Sequence, residues 1–359
     1  MFFYVAICFL LLILQATGYV CIRFQQALPP MPIALRIGIV LLLYAFSLSF
    51  LTSILFRNFD MPHWMSRCIF NVGSVWLVFL LYLVLALLVT DLAAKLFPAF
   101  RHGFIVALAT SAGLLIYGNC KYRNPQINEV KIALPVERPL TIAALSDVHL
   151  GVGTGRKALA KYVNIINDQH PDVVFIAGDL VDNNVTPLMR ENMEEELNRI
   201  KAPMGIYMVL GNHEYISGIH RVDTFLKKTK IKLLRDSIVH LPGGLVLLGR
   251  DDKFNKKRMS LSQLMPLAGN TKPVFVLDHQ PYEVALADSL GAAVQFYGHT
   301  HRGQVWPMTW ITDALFEQSH GYRRWKNGHV YVSQGLSLWG PPFRIGSESE
   351  LVVFHIQPS

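Results

Sequence analysis

The sequence predicts an α/β domain that follows a membrane region of four helices. The first 120 of the 359 residues hold six of the 33 basic and two of the 25 acidic residues, which leaves 27 and 23 for the rest. Charge is therefore dense only in the second part. There, apolar strand-like runs alternate with amphipathic stretches, which is the pattern of an α/β domain.

The first part contains four uninterrupted uncharged runs, at residues 1–22, 37–56, 68–90 and 103–120. A helix needs about 20 apolar residues to cross the hydrocarbon core, and buried core helices would keep a polar face. The first run lacks the basic start of a cleaved signal. We therefore predict a transmembrane anchor over residues 1–120, with helices at about 3–22, 37–56, 69–90 and 103–120.

The anchor has no ionisable side chain inside its four runs, and transporters usually place such groups there. We therefore predict an anchor rather than a conduit. All four cysteines lie in or beside the spans, so the second part has no disulfide framework.

Basic residues near the span ends favour a cytoplasmic α/β domain under the positive-inside tendency. On the side of the two termini there are five: Arg57, Arg67, Lys121, Arg123 and Lys131. On the other side there are four: Arg23, Arg36, Lys95 and Arg101.

Residues 121–138 are polar with scattered prolines, and we predict a linker there. The α/β domain then covers 139–359. Runs rich in β-branched and aromatic residues predict strands at 140–145, 172–177, 206–210, 231–234, 237–241, 245–248, 274–277, 293–297, 330–332 and 351–354. Apolar residues at helical spacing predict helices at 157–169, 188–200, 222–230 and 282–290.

Five predicted strands end in polar side chains. The carboxyl ends of strands are where open α/β sheets bind ligands, so we expect these side chains to converge. Seven of them are candidate metal ligands: Asp147, His149, Asp179, Asn212, His279, His299 and His301. Each short motif alone is common in turns. The prediction depends on five motifs in order, each at a strand end.

The chemistry of these seven residues predicts two metals. Imidazole with carboxylate suits Zn, Mn, Fe or Ni, and the oxygen-rich share favours Mn or Mg. Seven ligands are too many for one coordination sphere. The pattern matches neither a four-cysteine zinc site nor an EF-hand loop.

The five motifs resemble the calcineurin-like metallophosphoesterase superfamily, whose pattern is Asp-x-His, Gly-Asp, Gly-Asn-His-Asp/Glu, His and Gly-His-x-His. The resemblance covers about 139–356 and implies a four-layer sandwich of two mixed sheets flanked by helices. The tail at 332–346 further resembles the membrane-anchored bacterial phosphodiesterase branch, similar to transmembrane metallophosphoesterase-domain proteins. This implies a multi-pass protein of the bacterial cytoplasmic membrane.

The resemblance also implies roles for individual residues. Two sites would share Asp179, the first with Asp147, His149 and His301, and the second with Asn212, His279 and His299. His213 matches the catalytic histidine, and two divalent ions (Mn, Zn, Fe or Mg) would hold a bridging hydroxide that attacks the phosphate. Asp182 and Asp251 are either partners of ligand histidines or ordinary surface carboxylates.

Arg302 departs from the resembled branch, which has glycine after the second histidine of Gly-His-x-His. An arginine at this position could bind a phosphate oxygen in a bidentate manner, or it could point to solvent. It is therefore a candidate catalytic residue together with His213.

These observations predict a membrane-anchored metal-dependent phosphodiesterase. A phosphomonoesterase or pyrophosphatase on the same site is the alternative, and a non-catalytic membrane module is the third hypothesis. Aromatic and basic residues between 305 and 343 favour either a membrane interface, with a lipid-linked substrate, or packing at the end of the sandwich. We expect no nucleic-acid binding. The native metals and the oligomeric state are left open.

Overall fold

A computed structural model describes residues 2–55, 62–97, 100, 102–269 and 273–359. The chain divides into two compact units. The first comprises Met1–Cys120 with Gly340–Phe343, and the second comprises Lys121–Trp339 with Arg344–Ser359. Arg57 and Arg101, which entered the orientation prediction, lie outside the described residues, as does residue 56 at the end of the second predicted span.

The first unit is built from α1 (Phe2–Ala27), α2 (Ile33–Leu55), α3 (His63–Leu96) and α4 (Gly103–Arg123). All four are long and apolar enough to cross a membrane. Each extends beyond its predicted span at one end or both: α1 continues to Ala27, α2 begins at Ile33, α3 covers His63–Leu96 and α4 continues to Arg123.

Polar contacts join the helices of the first unit within its apolar core. Leu83 and Leu87 are buried between the helices. Thr17 and Ser47 lie 2.7 Å apart through their hydroxyl oxygens, and Trp76 Nε1 donates to Ser47 Oγ at 2.7 Å. Because a lipid core offers polar groups no water, such internal partners are the arrangement expected of a membrane region.

The second unit contains two six-stranded mixed sheets. In chain order the strands are β1 (Gln126–Leu134), β2 (Leu140–Leu145), β3 (Val173–Ala177), β4 (Ile206–Val209), β5 (Ile231–Leu234), β6 (Ser237–His240), β7 (Val246–Gly249), β8 (Val274–Leu277), β9 (Val294–Tyr297), β10 (Gly321–Arg324), β11 (His329–Val332) and β12 (Glu350–Pro358). One sheet has the order β1-β12-β2-β3-β4-β5, and the other has β10-β11-β9-β8-β7-β6.

The helices of the second unit are mostly short. They are α5 (Arg156–Asp168), α6 (Thr186–Arg190), α7 (Met193–Leu197), α8 (Asn212–Ile216), α9 (Ile219–Leu226), α10 (Leu261–Leu264), α11 (Val284–Ser289) and α12 (Met308–Leu315). Buried side chains of α5, α7 and α9 pack on the first sheet, and those of α10 and α11 pack on the second.

The core between the two sheets is apolar and aromatic. Phe175 of β3 and Phe275 of β8 meet across it with ring centroids 4.9 Å apart, and Phe354 of β12 lies 5.5 Å from Phe275. Helices therefore cover the outer faces while the inner faces pack together. This confirms the predicted four-layer sandwich.

Two predicted elements need correction. The predicted linker contains β1, whose residues pair in parallel with β12 from Gln126 opposite Glu350 onward. Only every second residue of β1, such as Val130 and Ile132, is buried, so its average composition is that of a linker. The predicted helix at 188–200 is broken into α6 and α7, because Asn192 adopts a left-handed conformation with φ of 48°.

Candidate metal centre

Five strand ends place the candidate site. In the first sheet β2, β3 and β4 run parallel, and in the second β8 and β9 do, so the carboxyl ends within each set lie at one edge. The segments after these strands bring all seven candidate ligands and His213 together. Most of these side chains are buried, with Asn212, His213 and His299 partly exposed.

The first cluster contains Asp147, His149 and His301, which together could hold a metal ion. The Nε2 atoms of His149 and His301 lie 3.0 Å apart, and Asp147 Oδ1 lies 3.3 Å from His301 Nε2. Asp179 Oδ2 approaches His149 Nε2 to 3.8 Å. Imidazole nitrogens and carboxylate oxygens, which can both bind a metal ion, thus lie close together.

The second cluster contains Asp179, His279 and His299. Asp179 Oδ2 lies 3.2 Å from His279 Nε2, and Asn212 Oδ1 lies 3.2 Å from the same nitrogen. His279 Nδ1 lies 2.8 Å from the carbonyl of Ala177, which can only accept, so Nδ1 is the donor. That contact orients the ring and directs Nε2 to the cluster.

Asp182 lies behind the first cluster. Its Oδ1 is 3.5 Å from His149 Nδ1 and 3.4 Å from His213 Nδ1, and His213 Nδ1 also donates to the Asp182 carbonyl at 3.1 Å. Asp182 is therefore a partner of a ligand histidine. The other candidate, Asp251, instead accepts from Tyr215 and Arg235, so it is not such a partner.

His213 stands beside both histidine clusters. Its ring lies 4.7 Å from the His149 ring, and its backbone N–H donates to Asp179 Oδ1 at 2.9 Å. His149, Asp179 and His213 form a third group that could hold an ion. The geometry alone thus allows His213 either to bind metal or to act next to it.

The backbone of the site is strained. Six of the ten described non-glycine residues with positive φ belong to it: Asp147, His149, Asp179, His299, His301 and Arg302. Left-handed backbone at such residues costs on the order of 1–3 kcal/mol each and persists only where the surroundings impose it. Because these left-handed residues are concentrated in the site, we infer that the backbone there is shaped to position the side chains rather than to maximise stability.

Glycines make room for the two central carboxylates. A Cβ at Gly211 would overlap Asp179 Oδ1, and a Cβ at Gly298 would overlap Asp147 Oδ2. Gly178 has φ of 74°, and a Cβ there would lie 2.7 Å from His279 Nδ1. The glycines of the sequence motifs are thus explained by close approach of side chain to backbone.

The electrostatics of the site fit divalent cations. Burial opposes the charge on His149, yet Asp147 and Asp182 raise its pKa to about 10. Burial also opposes the charge on Asp179, yet His279 and His213 hold its pKa well below the usual range. Protons on buried imidazoles thus balance buried carboxylates. A cation would supply the same positive charge and release those protons.

Unpaired polar atoms support the same fit. Among the described residues, His301 Nδ1 is buried without a hydrogen-bond partner, and His149 Nδ1 and Asp182 Oδ1 form the 3.5 Å ion pair described above but no hydrogen bond. Burial and the neighbouring His279 lower the pKa of His299 to about 4, which leaves its imidazole neutral and able to bind a metal. The residues present therefore suit metal ligation.

Glu214 has a structural role that sequence reasoning did not assign. It is fully buried, and its carboxylate accepts from the backbone N–H groups of Asp179, Val181 and Gly211 at 2.9, 2.9 and 2.7 Å. Burial and the charge of Asp179 raise its pKa to about 7. Its place in Gly211-Asn-His-Glu214 was the available signal.

Arg344 was also missed as part of this site. Its buried guanidinium donates to the carbonyls of His301 at 2.9 Å, Gln334 at 2.6 Å and Gly335 at 3.3 Å, and also to that of Ser337. It thereby holds the backbone of His301 against the 334–337 loop. The only signal was its place in the tail that resembles the phosphodiesterase branch.

We predict that Arg344→Met destabilises the protein by about 3 kcal/mol, because buried carbonyls lose charged donors. Thermal unfolding of the full chain in detergent measures this. Arg138→Met is the matched control, since Arg138 is exposed and its guanidinium donates to the sulfur of Met204 at 3.7 Å rather than to buried carbonyls. Equal melting of the two variants would contradict the prediction.

Comparison with known proteins decides the family. Residues 140–303 match the family model described as calcineurin-like phosphoesterase. An uncharacterized metallophosphoesterase of Campylobacter jejuni is 31% identical over 263 residues, covering 71% of this chain and 70% of that protein. The chain belongs to the calcineurin-like metallophosphoesterases.

Other metallophosphoesterases extend the comparison. An uncharacterized metallophosphoesterase of Helicobacter pylori is 32% identical over 241 residues, which is 65% of this chain and 64% of that protein, so the chain spans just under two thirds of that relative. A transmembrane protein with metallophosphoesterase domain from Danio rerio is 29% identical over 323 residues, or 81% of this chain and 73% of that protein. With the four apolar helices, this likeness indicates membrane association.

Proposed function

We propose that this metallophosphoesterase hydrolyses phosphodiesters with two divalent cations at the carboxyl ends of β2, β3, β4, β8 and β9. One observation carries the proposal: two clusters of histidine and carboxylate meet at Asp179, whose Oδ2 faces both His149 and His279. His213 lies beside them with a polar partner behind it.

The proposed ligands form two sets that share Asp179. The first set is Asp147, His149, Asp179 and His301. The second set is Asp179, Asn212, His279 and His299. When bound, two divalent cations (Mn, Zn, Fe or Mg) would act as Lewis acids on the phosphate oxygens and on water.

His213 is the proposed proton donor. Its Nδ1 is directed at Asp182, so Nε2 is the atom that can pass a proton to the leaving oxygen. The carboxylate of Asp182, whose Oδ1 lies 3.4 Å from Nδ1, fixes the orientation of the ring for this role. The partly exposed position of His213 allows a substrate to reach it.

Three features support a diester, and specifically a lipid-linked one, as the substrate. The 332–346 tail resembles the phosphodiesterase branch, the chain carries four membrane-capable helices, and exposed aromatic side chains follow His301. The balance of basic residues at the span ends favours the cytoplasmic side for the domain.

The test uses the full chain purified in detergent, with its metal content measured. We expect about two divalent ions per chain and faster turnover of bis-p-nitrophenyl phosphate than of p-nitrophenyl phosphate. Faster turnover of the monoester would favour the phosphomonoesterase alternative. A metal-loaded protein that cleaves neither, nor a panel of phospholipids and nucleotide-linked lipids, would favour the non-catalytic membrane module.

We propose that the side chain of Arg302 binds the phosphate of the substrate directly. It follows His301, and its Nε is buried without a hydrogen-bond partner among the described residues. Its backbone φ of 48° is one that glycine adopts without strain, so Arg302→Gly removes the guanidinium and leaves the loop in place. We predict a KM about 10-fold higher, because a charge-assisted contact to phosphate is lost.

Arg302→Lys is the matched control for this prediction. Lysine keeps the charge but not the planar fork, so we expect KM to recover only in part. The bound metal should stay at the wild-type level in both variants. An unchanged KM in Arg302→Gly would show that the guanidinium points to solvent.

A further inference from the structure

Helix α12 buries its polar face and exposes its apolar face. Its small polar residues Thr309 and Thr312 are buried, with 4% and 9% of their surface exposed. Its large apolar residues Trp310, Ile311 and Leu315 are exposed at 65%, 54% and 71%. A helix on a soluble domain normally turns its apolar stripe to the core.

The exposed side chains form one continuous patch. The Trp306 and Trp310 rings touch edge to face, with centroids 5.2 Å apart, and Ile311 and Leu315 are neighbours at the i, i+4 spacing. With Met308, which is also exposed, these residues are named the α12 surface: Trp306, Met308, Trp310, Ile311 and Leu315. Contiguous apolar patches of this kind mark interaction sites.

Other aromatic residues of this region do pack inside the domain. Trp325 packs against Tyr297 and Val330, and its Nε1 donates to Gln318 at 2.8 Å. The two sequence alternatives for residues 305–343 therefore apply to different side chains. Trp325 belongs to the end of the sandwich, whereas Trp310, Ile311 and Leu315 of the α12 surface are mostly exposed.

We propose that the α12 surface docks on a lipid bilayer. The domain is tethered there covalently, since only Asn124 and Pro125 separate α4 from β1. Tryptophan is enriched at membrane–water interfaces, where its ring is apolar and its N–H reaches water.

The charge around α12 agrees with an anionic lipid surface. Arg323, Arg324 and Lys326 follow the helix in the chain and are exposed. The nearby acids are engaged within the domain: Asp313 accepts from Ser319, and Glu317 accepts from the backbone N–H of Ala285 at 3.3 Å. Arg324 donates to His329 Nε2 within the domain, whereas the exposed side chains of Arg323 and Lys326 can face headgroups.

Docking would bring the candidate metal centre close to the bilayer, because the backbone of Met308 and Thr309 in α12 lies directly against Gly303, two residues after His301. A lipid-linked phosphodiester could then reach the site without leaving the membrane. This consequence rests on the proposed function, whereas the docking itself does not.

The test uses the full chain in vesicles of phosphatidylcholine and phosphatidylglycerol, with its four native cysteines replaced by serine. A nitroxide is attached at Leu315→Cys or, as matched control, at Leu267→Cys, another exposed leucine of the second unit. We expect the label at 315 to collide with oxygen in the lipid and to avoid an aqueous nickel chelate. The label at 267 should show the opposite.

Thermal unfolding first establishes that both labelled variants are folded. Equal exposure of both labels to the aqueous chelate would overturn the proposal. Protection of the 315 label from both oxygen and the chelate would indicate a protein partner, such as a second copy of the chain, and would also overturn it. The accessibility of the labels does not depend on catalysis. The result can therefore be interpreted even if the protein is not a phosphodiesterase.

Discussion

Replacement of Asp179 by asparagine is expected to remove most of the bound metal and to lower phosphodiester turnover on the order of 10³-fold. Asp179 Oδ2 lies 3.2 Å from His279 Nε2 and 3.8 Å from His149 Nε2, so this one oxygen faces both clusters. An amide keeps the shape but removes the negative charge that would help to hold a cation in each cluster. Both sites should therefore weaken together.

Asp172→Asn is the matched control, because it makes the same change at the other end of β3. Asp172 Oδ2 accepts from the Thr141 N–H at 2.7 Å, which an amide oxygen can also do. We expect wild-type metal content and turnover from this control. Metal analysis and bis-p-nitrophenyl phosphate turnover measure both variants. Full metal loading and activity in Asp179→Asn would refute the shared-ligand assignment.

His213→Gln is expected to lower turnover of a diester with an alkyl leaving group by about 10²–10⁴-fold, because the general acid is lost, while the metal content stays unchanged. The metal content decides between two roles. His213 also groups with His149 and Asp179 as a set that could hold an ion, so loss of metal would make it a ligand instead.

The effect of His213→Gln should depend on the leaving group of the substrate. A p-nitrophenolate leaves without needing a proton, so the loss should be small for bis-p-nitrophenyl phosphate and large for a diester with an alkyl leaving group. His220→Gln, on the exposed surface of α9, is the matched control and should leave both rates unchanged. An equal loss for the two substrates would contradict proton donation by His213.

The positions of the candidate ligands were predictable because each directly follows a strand. A strand pattern is local, and parallel neighbours bring their carboxyl ends to one edge. Asp251 shows where this reasoning stops. It also follows a strand, β7, yet its carboxylate binds Tyr215 and Arg235. The direction of a side chain after a strand end depends on neighbours that the strand pattern does not identify.

The elements that were missed share a physical cause. β1 is an edge strand with one buried face, and it acquires its structure from pairing with β12 at the far end of the chain. Helix α12 buries two threonines and exposes its large apolar side chains. Hydrophobic periodicity would predict the opposite orientation. Both depend on partners outside the local sequence.

By itself, the sequence determined the membrane-capable helices, the α/β class, the family and the candidate ligands, because uncharged runs, strand patterns and motifs are local properties. Only the tertiary structure decided that Glu214 and Arg344 hold the site together, that Asp182 rather than Asp251 stands behind a ligand histidine, and that α12 turns its apolar face outward. These outcomes depend on hydrogen bonds and packing between segments that are far apart in the chain.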